Sequence, residues 1–112
     1  MGYSVIPLRP CEKQLKRLAG KYPSLKKEIA QLAERLTVDP AIGTPIGKGS
    51  YKIRLAIASK GKGKSGGGRV ITHVRVLASK VYLLAIYDKS EKDTLSDREL
   101  LDLLAMIPKE GR

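Results

Sequence analysis

The residues best suited to chemistry are the cations of residues 51–74, which read YKIRLAIASKGKGKSGGGRVITHV. Lys52 and Arg54 alternate with apolar side chains, so both project from one face of a strand predicted at residues 51–58. Arg69 opens the predicted return strand. Ammonium and guanidinium groups gathered in this way bind phosphate and stabilise negative charge on it. The stretch therefore predicts a site for a polyanion.

A glycine-rich loop with alternating lysines, residues 60–68, joins the two predicted strands. Glycines allow backbone N–H groups to approach an anion, and the lysines add positive charge. Lys60, Lys62 and Lys64 are therefore predicted to bind RNA or another polyanion. The loop lacks the G-x-x-x-x-G-K-[ST] order of a P-loop, which excludes nucleotide binding of that type. A solvated, flexible turn is the alternative interpretation.

Three further side chains are candidates for the same site. His73, the only histidine, lies in the return strand and could act as a general acid or base, with a structural role as the alternative. Lys89 and Lys92 follow the last predicted strand and could add cations to the site, although nearby acidic residues also fit an ordinary polar turn. With one histidine and one cysteine, the sequence predicts no transition-metal site and no cofactor.

The distribution of charge supports a localised anion-binding surface. The net charge is +11, and all 11 acidic residues lie outside residues 40–87. An excess of positive charge that is concentrated in one region favours nucleic acid as the partner. The single cysteine, Cys11, excludes an internal disulfide bond and is predicted to be buried. No segment resembles a membrane span or a signal peptide, so we expect a cytoplasmic protein without a membrane partner.

The pattern of apolar and polar residues along the rest of the chain predicts the helices and strands that position these residues. A chain of 112 residues is expected to form one domain, residues 1–112. The predicted class is α+β: a small twisted antiparallel β-sheet with two N-terminal helices and a C-terminal helix. Ser96 and Glu99 form a capping box at the start of the last helix. The elements are predicted as a strand at 3–8, helices at 10–20 and 23–36, a loop at 41–50, strands at 51–58, 69–77 and 81–87, and a helix from 96 to 107.

The motifs K-I-R, the lysine–glycine loop, G-G-x-R-V-I and Y-L-L-x-I-Y-x-K together resemble the RelE/ParE superfamily of bacterial toxins, and within it the HigB-type branch of RelE-like toxins. The resemblance extends over residues 41–104. It implies the toxin of a type II toxin–antitoxin system, acting as a metal-independent endoribonuclease (an mRNA interferase) that cuts messenger RNA on the ribosome and inhibits translation. The implied partners are a cognate antitoxin, the ribosome and mRNA, while the oligomeric state stays open.

The resemblance also implies roles for individual residues. Lys52 and Arg54 match the basic strand positions of the family, and Arg69 matches the arginine after the glycines. Lys89 or Lys92 matches the basic residue after the last strand. In the implied reaction the ribose 2′-hydroxyl attacks the adjacent phosphate, Arg54 and Arg69 hold that phosphate, and Lys52 serves as the base.

The general acid is the open position in this scheme. Many RelE-like toxins carry a tyrosine after the final basic residues, whereas Leu95 and Ser96 occupy that region here. His73 is therefore a candidate for the acid. Two other functions remain open: a ParE-like inhibitor of DNA gyrase, and a non-catalytic RNA-binding domain or inactive copy of the toxin.

Overall fold

The computed structural model describes residues 2–61 and 63–109. None of the helices in these ranges is long and apolar enough to cross a membrane. The elements follow one another as β1 (Ser4–Pro7), α1 (Arg9–Lys21), α2 (Leu25–Val38), β2 (Thr44–Gly47), β3 (Ser50–Leu55), a short 3-10 helix (Ala58–Lys60), β4 (Gly68–Arg75), β5 (Lys80–Asp88) and α3 (Asp97–Ala105).

The strands form one sheet in the order β1-β5-β4-β3-β2. The α+β class is confirmed, and the predicted order of helices and strands agrees with the structure apart from one additional strand, β2. The sheet is mixed rather than wholly antiparallel, because β1 pairs with β5 in parallel while the other neighbours are antiparallel. The two N-terminal helices carry the chain away from β1, so that β1 can lie beside the last strand instead of beside the next one. Periodicity within a strand carries no information about this choice of neighbour.

Helices cover both faces of the sheet. One face packs on α1 and α2 through a core that includes Leu18, Leu25 and Val70. Cys11 is buried in the same core as predicted, and burial, with a smaller contribution from Glu12, raises the pKa of its thiol to about 12. The opposite face is covered by α3. The buried core on this side of the sheet consists of Leu8, Ile71, Tyr82, Leu84, Tyr87, Leu100 and Ile107.

The side chains of β4 alternate as predicted between the two faces. Arg69, Ile71 and His73 lie on the α3 side, and Val70 packs against the two N-terminal helices. The pairing of β4 with β5 shifts by one residue between Ile71 and Thr72. At this bulge Leu84 and Ala85 both pack into the core on the α3 side, while the other residues of β5 alternate between the two cores. Because helices cover both faces of the sheet, nearly every position of β5 is buried, which explains its apolar run without alternation.

Two differences from the sequence prediction affect the strand that carries Lys52 and Arg54. The predicted loop at 41–50 contains β2, which pairs with β3 despite Pro45 and ends in a turn where Gly47, Lys48 and Gly49 have positive φ. The strand predicted at 51–58 ends earlier, at Leu55. The residues that follow β3 are bound to α2 instead, because a side-chain oxygen of Glu28 accepts a hydrogen bond from the Ala58 backbone N–H at 2.7 Å.

A buried ion pair connects the layers. The Asp88 carboxylate is fully buried at the end of β5 and accepts from Lys60 Nζ at 2.5 Å and from the Tyr22 hydroxyl at 2.6 Å. The backbone and side chain of Ser90 also donate to it. Burial alone would raise the pKa of Asp88, but the hydrogen bonds from Lys60, Tyr22 and Ser90 outweigh it and hold the pKa well below its usual range.

We expect Asp88→Asn to lower the free energy of unfolding by about 3 kcal/mol at neutral pH, because Lys60 would be left as a buried, unpaired charge. The depressed pKa of Asp88 means that the ion pair stabilises the fold above the unfolded-state pKa of about 4 and is lost as the pH falls further. Urea unfolding followed by circular dichroism should therefore show less acid sensitivity in the variant.

Glu91→Gln is the matched control, because it also replaces a carboxylate with an amide but removes an exposed pair with Arg17. It should change stability little. Equal effects of the two substitutions would contradict the central role of the Asp88 ion pair.

Candidate anion-binding site

The strand register brings two of the predicted arginines together. Arg54 of β3 lies directly opposite Arg69 of β4, which in turn lies opposite Tyr87 of β5. Directly opposed residues of antiparallel strands have Cα atoms about 5 Å apart. The three side chains therefore form a row across the α3 side of the sheet. We call this row, together with Lys52 and the two lysines Lys89 and Lys92, the cationic face.

The two cations of β3 differ in exposure. Arg54 is exposed, so its guanidinium is available to a ligand. Lys52 is half-buried, two residues along the same strand, and lies against the segment that leads into α3. It lines a small cleft there with Thr94, Ser96 and Leu100. Lys52 thus lies two residues from Arg54 on the same face of β3, next to the segment that leads into α3.

Arg69 is buried, with 6% of its surface exposed. Its Nη1 donates to the carbonyls of Lys64 and Gly68, both at 3.0 Å, and its Nη2 donates to the carbonyl of Ser65 at 3.3 Å. Arg69 therefore holds the end of the glycine loop against the sheet. Its positive charge still lies beside Arg54, but Nη1 and Nη2 both donate to carbonyls of the loop.

Carboxylates after β5 fold back onto the cationic face, although the sequence between Asp39 and Asp88 has no acidic residue. Lys89 pairs with Asp93. The hydrogen bond from Lys89, followed by the charges of Lys89, Lys52 and Arg69, lowers the pKa of Asp93. This pair fits the ordinary polar turn that the sequence left open as the alternative for Lys89.

The second of these pairs joins Lys92 to Glu99 at 2.7 Å. The hydrogen bond from Lys92, together with the backbone N–H of Ser96, lowers the pKa of Glu99 to about 2. Both members are at least one-third exposed, so a phosphate group could replace the carboxylate. Lys89 and Lys92 therefore reach the predicted face but are paired in this structure.

The three lysines assigned to the glycine loop have different positions. Lys60 is wrongly predicted as an RNA contact, because its ammonium is buried in the ion pair with Asp88 and also lies 3.2 Å from the Ser90 hydroxyl. Lys62 lies outside the described residues. Lys64 is exposed and lines a groove with Arg54, so it remains a candidate RNA contact.

His73 lies away from the row of Arg54 and Arg69. It is four residues from Arg69 along β4, which corresponds to about 13 Å. Its ring is buried under the turn at Gly49, and the Ser50 hydroxyl lies 3.2 Å from Nδ1. Arg75 Nε donates to Nε2 at 2.9 Å. The structure thus contradicts the assignment of His73 to the catalytic group, since the histidine is tied into the opposite end of the sheet.

The hydrogen bond from Arg75 also fixes the protonation state of His73. Because Arg75 can only donate, Nε2 must carry a lone pair, which leaves Nδ1 as the protonated nitrogen of a neutral ring. Burial, followed by the charge of Arg75, lowers the pKa of His73 accordingly. A neutral, fully engaged imidazole is a structural feature rather than a proton donor to bound RNA.

Tyr87 belongs to the row but was missed in the sequence prediction. Its side chain is 6% exposed, and its hydroxyl has no hydrogen-bond partner within the part of the chain that the structure describes. It lines a cleft between α1 and α3 with Lys92 and Leu95. The available signal was its position immediately before Asp88 and Lys89, but an apolar run gives no indication of which face an aromatic residue takes.

The described residues hold no cluster of three or more histidine, cysteine, aspartate or glutamate side chains that could bind a metal ion. The groups available for chemistry at this site are therefore its cations, the phenol of Tyr87, and the carboxylates of Asp93 and Glu99, which a ligand can displace. Such a site can hold a phosphate and stabilise additional negative charge on it.

No family model matches the chain. The fold is similar to that of the toxin RelE of E. coli, solved as a mutant in the free state. The superposition covers 96% of this chain and 100% of that chain, with a TM-score of 0.63 and 14% sequence identity. At this level of identity the similarity concerns the fold, and it confirms the RelE-like architecture predicted from the sequence.

We expect His73→Gln to lower the free energy of unfolding by about 1 kcal/mol near pH 7.5, since it disturbs the buried contacts with Ser50 and Arg75. The lowered pKa means that protonation of His73 opposes folding. The wild-type protein should therefore lose stability as the pH falls below about 6.5, and the variant should lack this loss.

Urea titrations between pH 5 and 8 would measure the difference. Ser50→Ala is a suitable control, because it removes a neighbour of the ring but leaves the titrating group in place. An identical pH dependence in wild-type protein and His73→Gln would refute the assignment.

Proposed function

We propose that this protein is the toxin of a type II toxin–antitoxin system and acts as a ribosome-dependent endoribonuclease on mRNA. The main support is the register that sets Arg54 opposite Arg69, with Lys52 beside them. The fold shared with the toxin RelE of E. coli adds to this support. The motifs described above favour the HigB-type branch of RelE-like toxins.

The proposed reaction uses the ribose 2′-hydroxyl as the nucleophile. The exposed Arg54 guanidinium binds the scissile phosphate, and the fixed charge of Arg69 lies next to it. Both stabilise the negative charge that accumulates on the five-coordinate phosphorus. Lys52 accepts the proton of the 2′-hydroxyl, and the products are a cyclic phosphate and a free 5′-hydroxyl. In this scheme protein cations supply the charge stabilisation without a metal ion.

Dependence on the ribosome follows from the sparse chemistry of the site. With few groups for proton transfer, much of the rate must come from presenting the 2′-hydroxyl in line with the phosphate. An ordered message on the ribosome provides that geometry, whereas free RNA does not. The excess of positive charge would support docking on ribosomal RNA, with binding that weakens steeply as salt increases.

The antitoxin is the second proposed partner. Lys89 and Lys92 already accept carboxylates of the chain itself, Asp93 and Glu99. An acidic segment of an antitoxin could take the same positions and cover Arg54. Such binding would block access of RNA to the cationic face without changing the fold.

We expect Arg54→Gln to reduce mRNA cleavage at least about 100-fold and to abolish growth arrest, because it removes the exposed guanidinium that holds the phosphate. Controlled expression in bacteria with primer extension on a defined message measures both effects. Lys27→Gln on the exposed side of α2 is the matched control, since it removes one exposed positive charge that does not belong to the cationic face.

Arg69→Ala is less informative, because it would also release the glycine loop. Growth arrest with an intact message and damaged DNA would replace the proposal with gyrase inhibition. Binding of RNA without cleavage or growth arrest would instead indicate a non-catalytic binding domain.

A further inference from the structure

The hydroxyl of Tyr87 is an unsatisfied polar group in the interior. It is buried and lacks a hydrogen-bond partner among the described residues. Such a group destabilises a fold, because it gives up its bonds to water and gains none in return. Phenylalanine would fill the same space without this disadvantage. The hydroxyl therefore forms no hydrogen bond with the described residues that would stabilise the fold, so its role is sought in the chemistry of its neighbours.

The surroundings of Tyr87 are strongly cationic. It lies opposite Arg69 in the row that begins with Arg54. Burial, with a smaller contribution from the charge of Asp93, raises the pKa of Tyr87, while the nearby charges of Arg69, Lys89 and Lys92 act in the opposite direction. The phenol is thus protonated at neutral pH, and a phenolate formed by loss of its proton would be stabilised by three cations. This combination suits a group that donates a proton during a reaction.

The reaction scheme proposed above assigns no residue that donates a proton to the leaving 5′-oxygen. When the bond between phosphorus and the 5′-oxygen breaks, the departing alkoxide must be protonated. His73 cannot serve, because it is neutral, buried and about 13 Å away along β4. Among the groups on the cationic face, Tyr87 has a hydroxyl proton that no acceptor within residues 2–61 and 63–109 holds.

We propose that Tyr87 is the general acid of this reaction, an inference that rests on the function proposed above. The 2′-oxygen forms a bond to phosphorus and gives its proton to Lys52. The bond from phosphorus to the 5′-oxygen breaks, and that oxygen takes the proton of the Tyr87 hydroxyl. The resulting phenolate lies among Arg69, Lys89 and Lys92 until it is reprotonated from Lys52 through solvent.

Binding of RNA also provides a way to expose Tyr87. The segment between β5 and α3 passes beside it, with Lys92 and Leu95 in the same cleft. That segment is held by the pairs of Lys89 with Asp93 and of Lys92 with Glu99, which are partly exposed. A phosphate that replaces these carboxylates would turn both lysines towards the RNA and uncover the phenol.

The chain contains a matched control for the substitution. Thr72 also has a buried hydroxyl without a hydrogen-bond partner among the described residues. It lies opposite Tyr51 and Leu83, on the side of the sheet that faces away from the cationic face. Thr72→Val and Tyr87→Phe each remove a hydroxyl with little change of shape, but only the second removes one from the proposed site.

We expect Tyr87→Phe to retain the thermal stability of the wild-type protein and to slow single-turnover cleavage of a ribosome-bound message at least about 100-fold. Thr72→Val should also retain stability, with an unchanged cleavage rate. The cut position is first mapped with the wild-type protein. Wild-type rates in Tyr87→Phe would overturn the inference while leaving the proposed function intact.

A second substrate separates proton donation from mere positioning. In this message a sulfur atom replaces the bridging 5′-oxygen at the mapped position, so the leaving thiolate needs no proton. Tyr87→Phe should cut this substrate within a few-fold of the wild-type rate. An equal loss on both substrates would overturn the role as an acid. Failure of the wild-type protein to cut any ribosome-bound message would overturn the proposed function and the inference together.

Discussion

The buried carboxylate of Asp88 is the constraint on which the site depends. It binds Lys60 from the start of the glycine loop and Tyr22 from the junction of α1 and α2. It also fixes the end of β5, from which the segment bearing Lys89 and Lys92 departs. Because Arg69 holds the other end of the loop, the loop is anchored on both sides. The cationic face is therefore built on a charge pair that itself makes no contact with a ligand.

Cations that look alike in the sequence have distinct functions in the fold. Lys60 and Arg69 are buried and organise the loop, whereas Arg54 is exposed and available. Burying an arginine and a lysine is costly unless their donors are satisfied, and here backbone carbonyls and Asp88 satisfy them. Because Lys60 and Arg69 stabilise the fold, few charged groups remain for chemistry. This scarcity explains why substrate positioning by a large partner is central to the proposed activity.

Two carboxylates of the chain itself fold back onto the cationic face and pair with its lysines. Asp93 and Glu99 pair with lysines at the positions where a nucleic acid phosphate would compete. Under the proposed function, RNA would replace these carboxylates with its phosphates. This exchange would lower the affinity of the site for isolated phosphates and favour polyanions that contact several cations at once. An acidic inhibitor protein would benefit from the same exchange.

The sequence by itself determined the α+β class and the alternation that places Lys52 and Arg54 on one side of β3. Period-two patterns are local, so they can be read without knowledge of the partners. Tertiary structure alone decided that Lys60 is buried in an ion pair with Asp88, that β3 ends at Leu55, before the Ala58 backbone that Glu28 binds, and that β1 joins the sheet in parallel. It also decided the burial of Tyr87. Each of these depends on contacts between residues distant in the chain, and periodicity does not encode which distant residues meet.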